Sequence, residues 1–96
     1  MFNIIFVILH YQNIDDTINC IDSIKKLQEL NNNYKILLVD NKSPNNTGKK
    51  LEKIYINDSN IEIILLEKNY GCSKANNIAF KMAKKYNPEI ILVLNN

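Results

Sequence analysis

Arginine is absent from this 96-residue chain, and all twelve of its basic residues are lysines. They are spread along the sequence among ten acidic residues, which leaves a net charge of +2. A nucleic-acid-binding surface needs a dense basic footprint to displace the counterions of the phosphates. The dispersed lysines exclude nucleic acid as a partner class. Asn, Ile and Lys are frequent together, and an A/T-rich coding sequence accounts for all three. Glycine is scarce, with two residues, Gly48 and Gly71. No GxGxxG and no GxxxxGK[ST] is present, which excludes the standard dinucleotide fingerprint and the P-loop. A serine-elbow motif is missing too. The two cysteines, Cys20 and Cys72, form no CxxC, and His10 is the single histidine, so a zinc-ligand pattern is excluded. Cys20 falls among Ile18, Ile21 and Ile24, and a buried, reduced thiol is expected there rather than a disulfide. That state suits a reducing cytoplasm. Long hydrophobic runs are also lacking. The apolar stretch at the start is far shorter than the roughly 20 residues of a membrane span. It has neither the leading positive charge nor the small-residue cleavage site of a secretory signal. It reads as a buried strand of a cytoplasmic protein.

What is present is an alternation of short apolar runs with longer amphipathic stretches. Residues 4–9 form a continuous β-branched and aromatic run, as in a strand covered on both faces. Asp15 and Asp16 follow as expected helix caps. Ile18, Ile21, Ile24, Leu27 and Leu30 then make one apolar stripe, and the asparagines at 31–33 break the helix. A second strand is expected over 35–40 and a turn-rich loop over 41–48. A helix over about 47–56 should turn Leu51, Ile54 and Tyr55 inward. A third strand spans 61–66, a loop 67–71 and an amphipathic helix about 72–86, ended by Asn87-Pro88. A fourth strand spans 90–94, and Asn95-Asn96 closes the chain.

The pattern β-α-β-α-β-α-β predicts an α/β fold of one domain over 1–96: a three-layer, Rossmann-like parallel sheet with strand order 3-2-1-4. Ligands of such sheets bind beyond the carboxyl ends of the strands, where the strand order reverses. That position singles out the polar loops at 10–13, 40–43 and 67–71 and the end of strand four. Asp40 ends strand two and can accept hydrogen bonds from a base or a ribose; an Asx turn is the equal alternative. Tyr11 can stack on a base or simply pack. His10 has no Cys or carboxylate partner nearby in sequence and is expected to be a satisfied structural histidine. Asn69-Tyr70-Gly71 leads into helix three, where Gly71 permits a close backbone approach and the helix N-terminus offers N–H groups to phosphate. Lys74 can meet a diphosphate or remain solvated. Asn76 and Asn77, poor helix formers in a first turn, suggest side-chain hydrogen bonding.

Taken in order, these stretches resemble family 2 glycosyltransferases of the GT-A fold, over essentially the whole chain. His10-Tyr11-Gln12-Asn13 is similar to the family's Thr-Tyr-Asn element, with Tyr11 matching and His10 and Gln12 departing from the commonest residues. Asp15 to Ile24 (DDTINCIDSI) resembles the first helix. Val39-Asp40-Asn41-Lys42-Ser43, followed by Thr47, resembles the Val-Asp-Asn-x-Ser loop. Asn69-x-Gly71-x-x-x-Ala75-Asn76-Asn77 resembles the Asn-x-Gly…Ala-Arg-Asn element, with Asn76 where many members carry Arg, as in the rhamnosyltransferase-like subgroup. The resemblance implies that Asp40 binds the base and that Tyr11 helps to wall the base pocket. It also implies that Asn69, Gly71, Lys74, Asn76 and Asn77 line a nucleotide-sugar site.

The resemblance further implies a UDP- or dTDP-linked donor, a glycan or lipid-linked acceptor, and Mg2+ or Mn2+ held by an acidic motif directly after strand four. Such an enzyme serves cell-surface polysaccharide synthesis, at the inner face of the membrane if it is peripheral. The acidic motif and the general base are not among these residues, so the chain is expected to be the front half of the domain, binding no metal and inactive alone. Two other classes compete. One is a stand-alone module that binds a nucleotide weakly or forms a homodimer through the open edge of strand four. The other is a receiver-like signalling domain, but Glu67 stands where its phospho-acceptor Asp would be needed.

Overall fold

The computed structural model describes residues 2–27, 31 and 33–95. Its elements follow the order β1 (Ile4–His10), α1 (Ile14–Lys25), β2 (Tyr34–Asp40), α2 (Thr47–Ile54), β3 (Ile61–Leu65), α3 (Cys72–Lys84) and β4 (Ile90–Asn95). A single turn of 3-10 helix, Pro44–Asn46, leads into α2. All strand pairs are parallel, in the order β3-β2-β1-β4, as the alternation predicts. Ile4 of β1 sits opposite Tyr34 of β2 and Ile90 of β4, and His10 opposite Asp40.

Side chains alternate across a strand, so β1 and β2 supply two cores. Phe6, Ile8, Ile36 and Leu38 pack with Ile21 and Ile24 of α1 and with Leu51 and Tyr55 from α2 and its end. Ile5, Val7, Leu37 and Val39 pack on the other face, against Ala79 and Ala83 of α3. Both central strands are therefore covered on both sides, which explains why they are almost free of charge.

The helix ends refine the sequence reading. The side chain of Asn13, not an aspartate, caps α1: its Oδ1 accepts the Asp16 N–H at 3.1 Å. Asp15 and Asp16 lie inside the first turn, where their charge favours the helix dipole. The helix stops at Lys25, and the Leu27 N–H donates to the Ile24 carbonyl in a tightened last turn. Leu27 is thus exposed; Leu30, Asn32 and Asn96 lie outside the described residues. In α2, Thr47, Leu51 and Tyr55 face inward at steps of four, so Ile54 falls off that line and is exposed, contrary to expectation. α3 ends at Lys84, and Asn87 takes a left-handed φ of 50° ahead of Pro88.

At the amino end of the sheet, Lys35 lies 4.6 Å from the Tyr86 ring centroid and 5.4 Å from that of Phe2, and pairs with Glu62 at 3.4 Å. At the outer edge, β4 has β1 as its one strand neighbour among the described residues, and Ile90, Leu92 and Val93 are 42–48% exposed. Among the described residues, no helix is long and apolar enough to cross a membrane.

Ala75, Ala79 and Ala83 are fully buried, and their spacing of four puts a stripe of small residues against the sheet. An Ala79→Leu chain should lose about 1–3 kcal/mol, because the added methylenes have no space between α3 and the strands. A urea midpoint equal to that of the parent would show that α3 packs more loosely than this.

Candidate functional site

Strand order reverses between β1 and β4, and the loops at the carboxyl ends of the strands diverge there. They open a cavity of about 530 Å³ on the α3 side of the sheet. Leu9 and Tyr11 line it from β1 and its loop, and Asn41 from the end of β2. Asn69 and Gly71 line it from the loop after β3, and Cys72 and Asn76 from α3.

Hydrogen bonds fix these loops to one another. The Asp40 Oδ1 accepts the Ser43 hydroxyl at 2.5 Å and the Ser43 N–H at 3.2 Å. The Ser43 Oγ in turn accepts the Gln12 N–H at 2.9 Å, which ties the β1 loop to the β2 loop. Asn41 donates its N–H to the His10 carbonyl at 3.0 Å, and its Oδ1 accepts the Tyr70 N–H at 3.0 Å. The β3 loop is thereby joined as well. Within that loop, the Asn69 Oδ1 accepts the Gly71 N–H at 2.8 Å. Gly71 has φ +81° and ψ 163°, a conformation that a side chain disfavours, and it starts α3 without a side-chain cap.

Of the residues that the sequence nominated, the structure brings Tyr11, Asn69, Gly71 and Asn76 together around the cavity. Tyr11 is about half exposed. Asn76 carries a buried Oδ1 with no hydrogen-bond partner among the described residues. Asp40 does not line the cavity. Its carboxylate serves the turn at Ser43 and packs against Gly48 of α2, and the next residue, Asn41, faces the cavity instead. Lys74 and Asn77 are exposed outside the lining, Lys74 with its ammonium 5.1 Å from the Tyr70 ring centroid and Lys68 at 5.0 Å from the same ring.

Sequence reasoning gave Asn41 and Ser43 no roles, although both stand inside the Val-Asp-Asn-x-Ser stretch that drew attention to Asp40. Cys72 was not singled out, although it stands between Gly71 and Asn76 in the stretch that the resemblance assigned to the site. His10 is the satisfied structural histidine that was expected. It is fully buried, with Nδ1 2.7 Å from the Thr17 hydroxyl and Nε2 2.9 Å from the Thr47 hydroxyl. Burial holds its pKa below the ordinary value, and the nearby Asp40 charge opposes that shift only in part. Among the described residues no three His, Cys, Asp or Glu side chains converge.

A family model described as glycosyl transferase family 2 matches residues 5–96. No curated protein matches the chain. Among solved structures, S. aureus TarS 1–349 is similar with a TM-score of 0.75 and 26% identity, over 97% of this chain and 27% of that one. A mannosyltransferase, PcManGT from Pyrobaculum calidifontis in complex with GDP-Man and Mn2+, is similar in fold with a TM-score of 0.72 and 13% identity. That match covers 83% of this chain and 24% of the other. The chain thus spans about a quarter of the length of each.

Two tests follow from the site's packing. A Cβ on Gly48 would enter the Asp40 carboxylate, a short side chain already held by Ser43. Alanine at an exposed helix position usually stabilises by about 1 kcal/mol over glycine. Here the steric cost of about 1–3 kcal/mol should prevail, and Gly48→Ala should lower the urea midpoint. The second test concerns pH. The folded chain disfavours a charged His10, so its contribution is complete above the ordinary value of 6.5 and is lost as pH falls through and below it. Stability should decline between pH 7.5 and 5.5, and a His10→Gln chain should show a shallower decline.

Proposed function

The chain belongs to glycosyl transferase family 2, and from that premise we propose that it is the nucleotide-sugar-binding part of a GT-A enzyme. The observation that carries this reading is the cleft at the strand-order reversal with the Asn76 Oδ1, unpaired among the described residues, at its wall. A buried acceptor without a donor costs about 1–3 kcal/mol, and a ligand N–H or O–H would recover it. A nucleoside meets the remaining requirements. Leu9 and the half-exposed Tyr11 offer apolar and aromatic surface to a base, and Asn41 and Asn69 offer polar edges. The diphosphate lies toward Gly71, where the first N–H groups of α3 favour an anion. Lys68 and Lys74 add positive charge at that rim.

Asp40, in this reading, acts on the base pocket through the loop that it braces, and Asn77 stays at the margin. The donor is a UDP- or dTDP-linked sugar and the acceptor a glycan or lipid-linked glycan, as in cell-surface polysaccharide synthesis by an enzyme at the cytoplasmic face of a membrane. The GDP-Man and Mn2+ bound to PcManGT support the nucleotide-sugar class and the use of Mg2+ or Mn2+ by the complete enzyme. Such an ion would neutralise charge on the departing nucleotide. The role that this reading gives the described residues is to bind and orient the nucleotide. We expect no sugar transfer from these 96 residues alone. A second reading is favoured by the exposed β4 edge, through which two copies would pair as a binding module.

Titration of the isotope-labelled chain with UDP, dTDP and GDP tests the proposal. Amide shifts should cluster at Tyr11, Asn41 and 69–77. Shifts elsewhere, or none from a folded monomer at millimolar nucleotide, would oppose it. A dimer whose β4 amides are protected from exchange would favour the module.

A further inference from the structure

His10 joins β1, α1, α2 and the end of β2 on the α1–α2 side of the sheet. Its backbone closes β1 and accepts the Asn41 N–H at 3.0 Å. Its ring lies between the first turn of α1, through Thr17 at 2.7 Å, and the first residue of α2, through Thr47 at 2.9 Å. Both ring nitrogens are used. An imidazole is planar and its two nitrogens diverge, so two fixed hydroxyls define both the tilt and the depth of the ring. Fixing the ring also fixes the backbone carbonyl that carries Asn41.

The consequence reaches the opposite face of the sheet. Asn41 holds Tyr70 through its Oδ1 and lines the cavity, while His10 itself is fully buried and lines nothing. From this arrangement we infer that His10 is a positioning residue: it anchors α1 and α2 to the end of β1 and so sets Asn41, and through it the Tyr70 loop, at the wall of the cleft. The consequence for ligand affinity rests on the nucleotide reading of the cleft; the link from His10 to Asn41 and Tyr70 does not.

Both parts are measurable on the full chain. In a His10→Leu variant the amide signals of Asn41 and Tyr70 should move and their hydrogen exchange should accelerate, although neither residue touches the ring. Affinity for whichever of UDP, dTDP or GDP binds the parent should fall about tenfold, the scale of one well-made hydrogen bond. Gln at position 10 keeps one donor and one acceptor and should restore both readouts in part. If His10→Leu does not fold, Thr47→Val removes one anchor with little change of shape and should give the smaller shift at the same two amides. A folded His10→Leu or Thr47→Val chain with unmoved Asn41 and Tyr70 signals would overturn the inference. Moved signals with no nucleotide binding in the parent would uphold the positioning role and defeat the nucleotide reading instead.

Discussion

The Asp40 carboxylate accepts the Ser43 hydroxyl and N–H, Ser43 accepts the Gln12 N–H, and the loops after β1 and β2 are joined beside the cleft by this chain of bonds. A charged acceptor strengthens hydrogen bonds, and the low polarity at a nearly buried site strengthens them further. With 40–43 fixed, Asn41 can reach both the His10 carbonyl and the Tyr70 N–H. Three loops that follow three different strands are thereby linked into one hydrogen-bond network. The absence of a Cβ on Gly48 is part of the same constraint, since α2 approaches the carboxylate too closely for any side chain.

The two sides of the sheet divide the labour. On the α1–α2 side, buried His10 is hydrogen-bonded to the buried Thr17 and Thr47 hydroxyls, and buried Asp40 is hydrogen-bonded to Ser43. On the α3 side, the lining residues of the cleft other than the buried Asn41 are partly or fully exposed, and the Asn76 Oδ1 has no partner among the described residues. A small domain keeps about 5–15 kcal/mol of stability, so an unsatisfied buried acceptor is a substantial local debit. That debit falls where a ligand can relieve it. β4 concentrates the other departure from a closed structure, with apolar side chains exposed along an edge that carries no lysine or proline.

Family membership and geometry meet at this cleft without being the same evidence. The family model covers nearly the whole chain, whereas each solved relative extends well beyond the quarter that this chain matches. The parts of a transferase that bind and orient a nucleotide can therefore be argued from these residues. The parts that hold a metal and activate an acceptor belong to the proposal for the complete enzyme.

The sequence by itself determined the alternation of elements, the parallel sheet, its strand order and the loops that flank the site. Those features rest on local periodicity and on chirality, which a linear pattern records. That Tyr11, Asn69, Gly71 and Asn76 lie around the cavity was legible for the same reason: they stand at or near strand or helix ends whose place in the fold is fixed by topology. Only the tertiary structure decided which face each polar side chain serves. Asp40 and Asn41 are adjacent in sequence, and alternation across the strand sends one to brace α2 and the other to the cleft. Composition cannot tell them apart. The clamp of His10 on Thr17 and Thr47 was equally hidden, because its partners lie 7 and 37 residues away and meet it only after both helices have packed on the sheet.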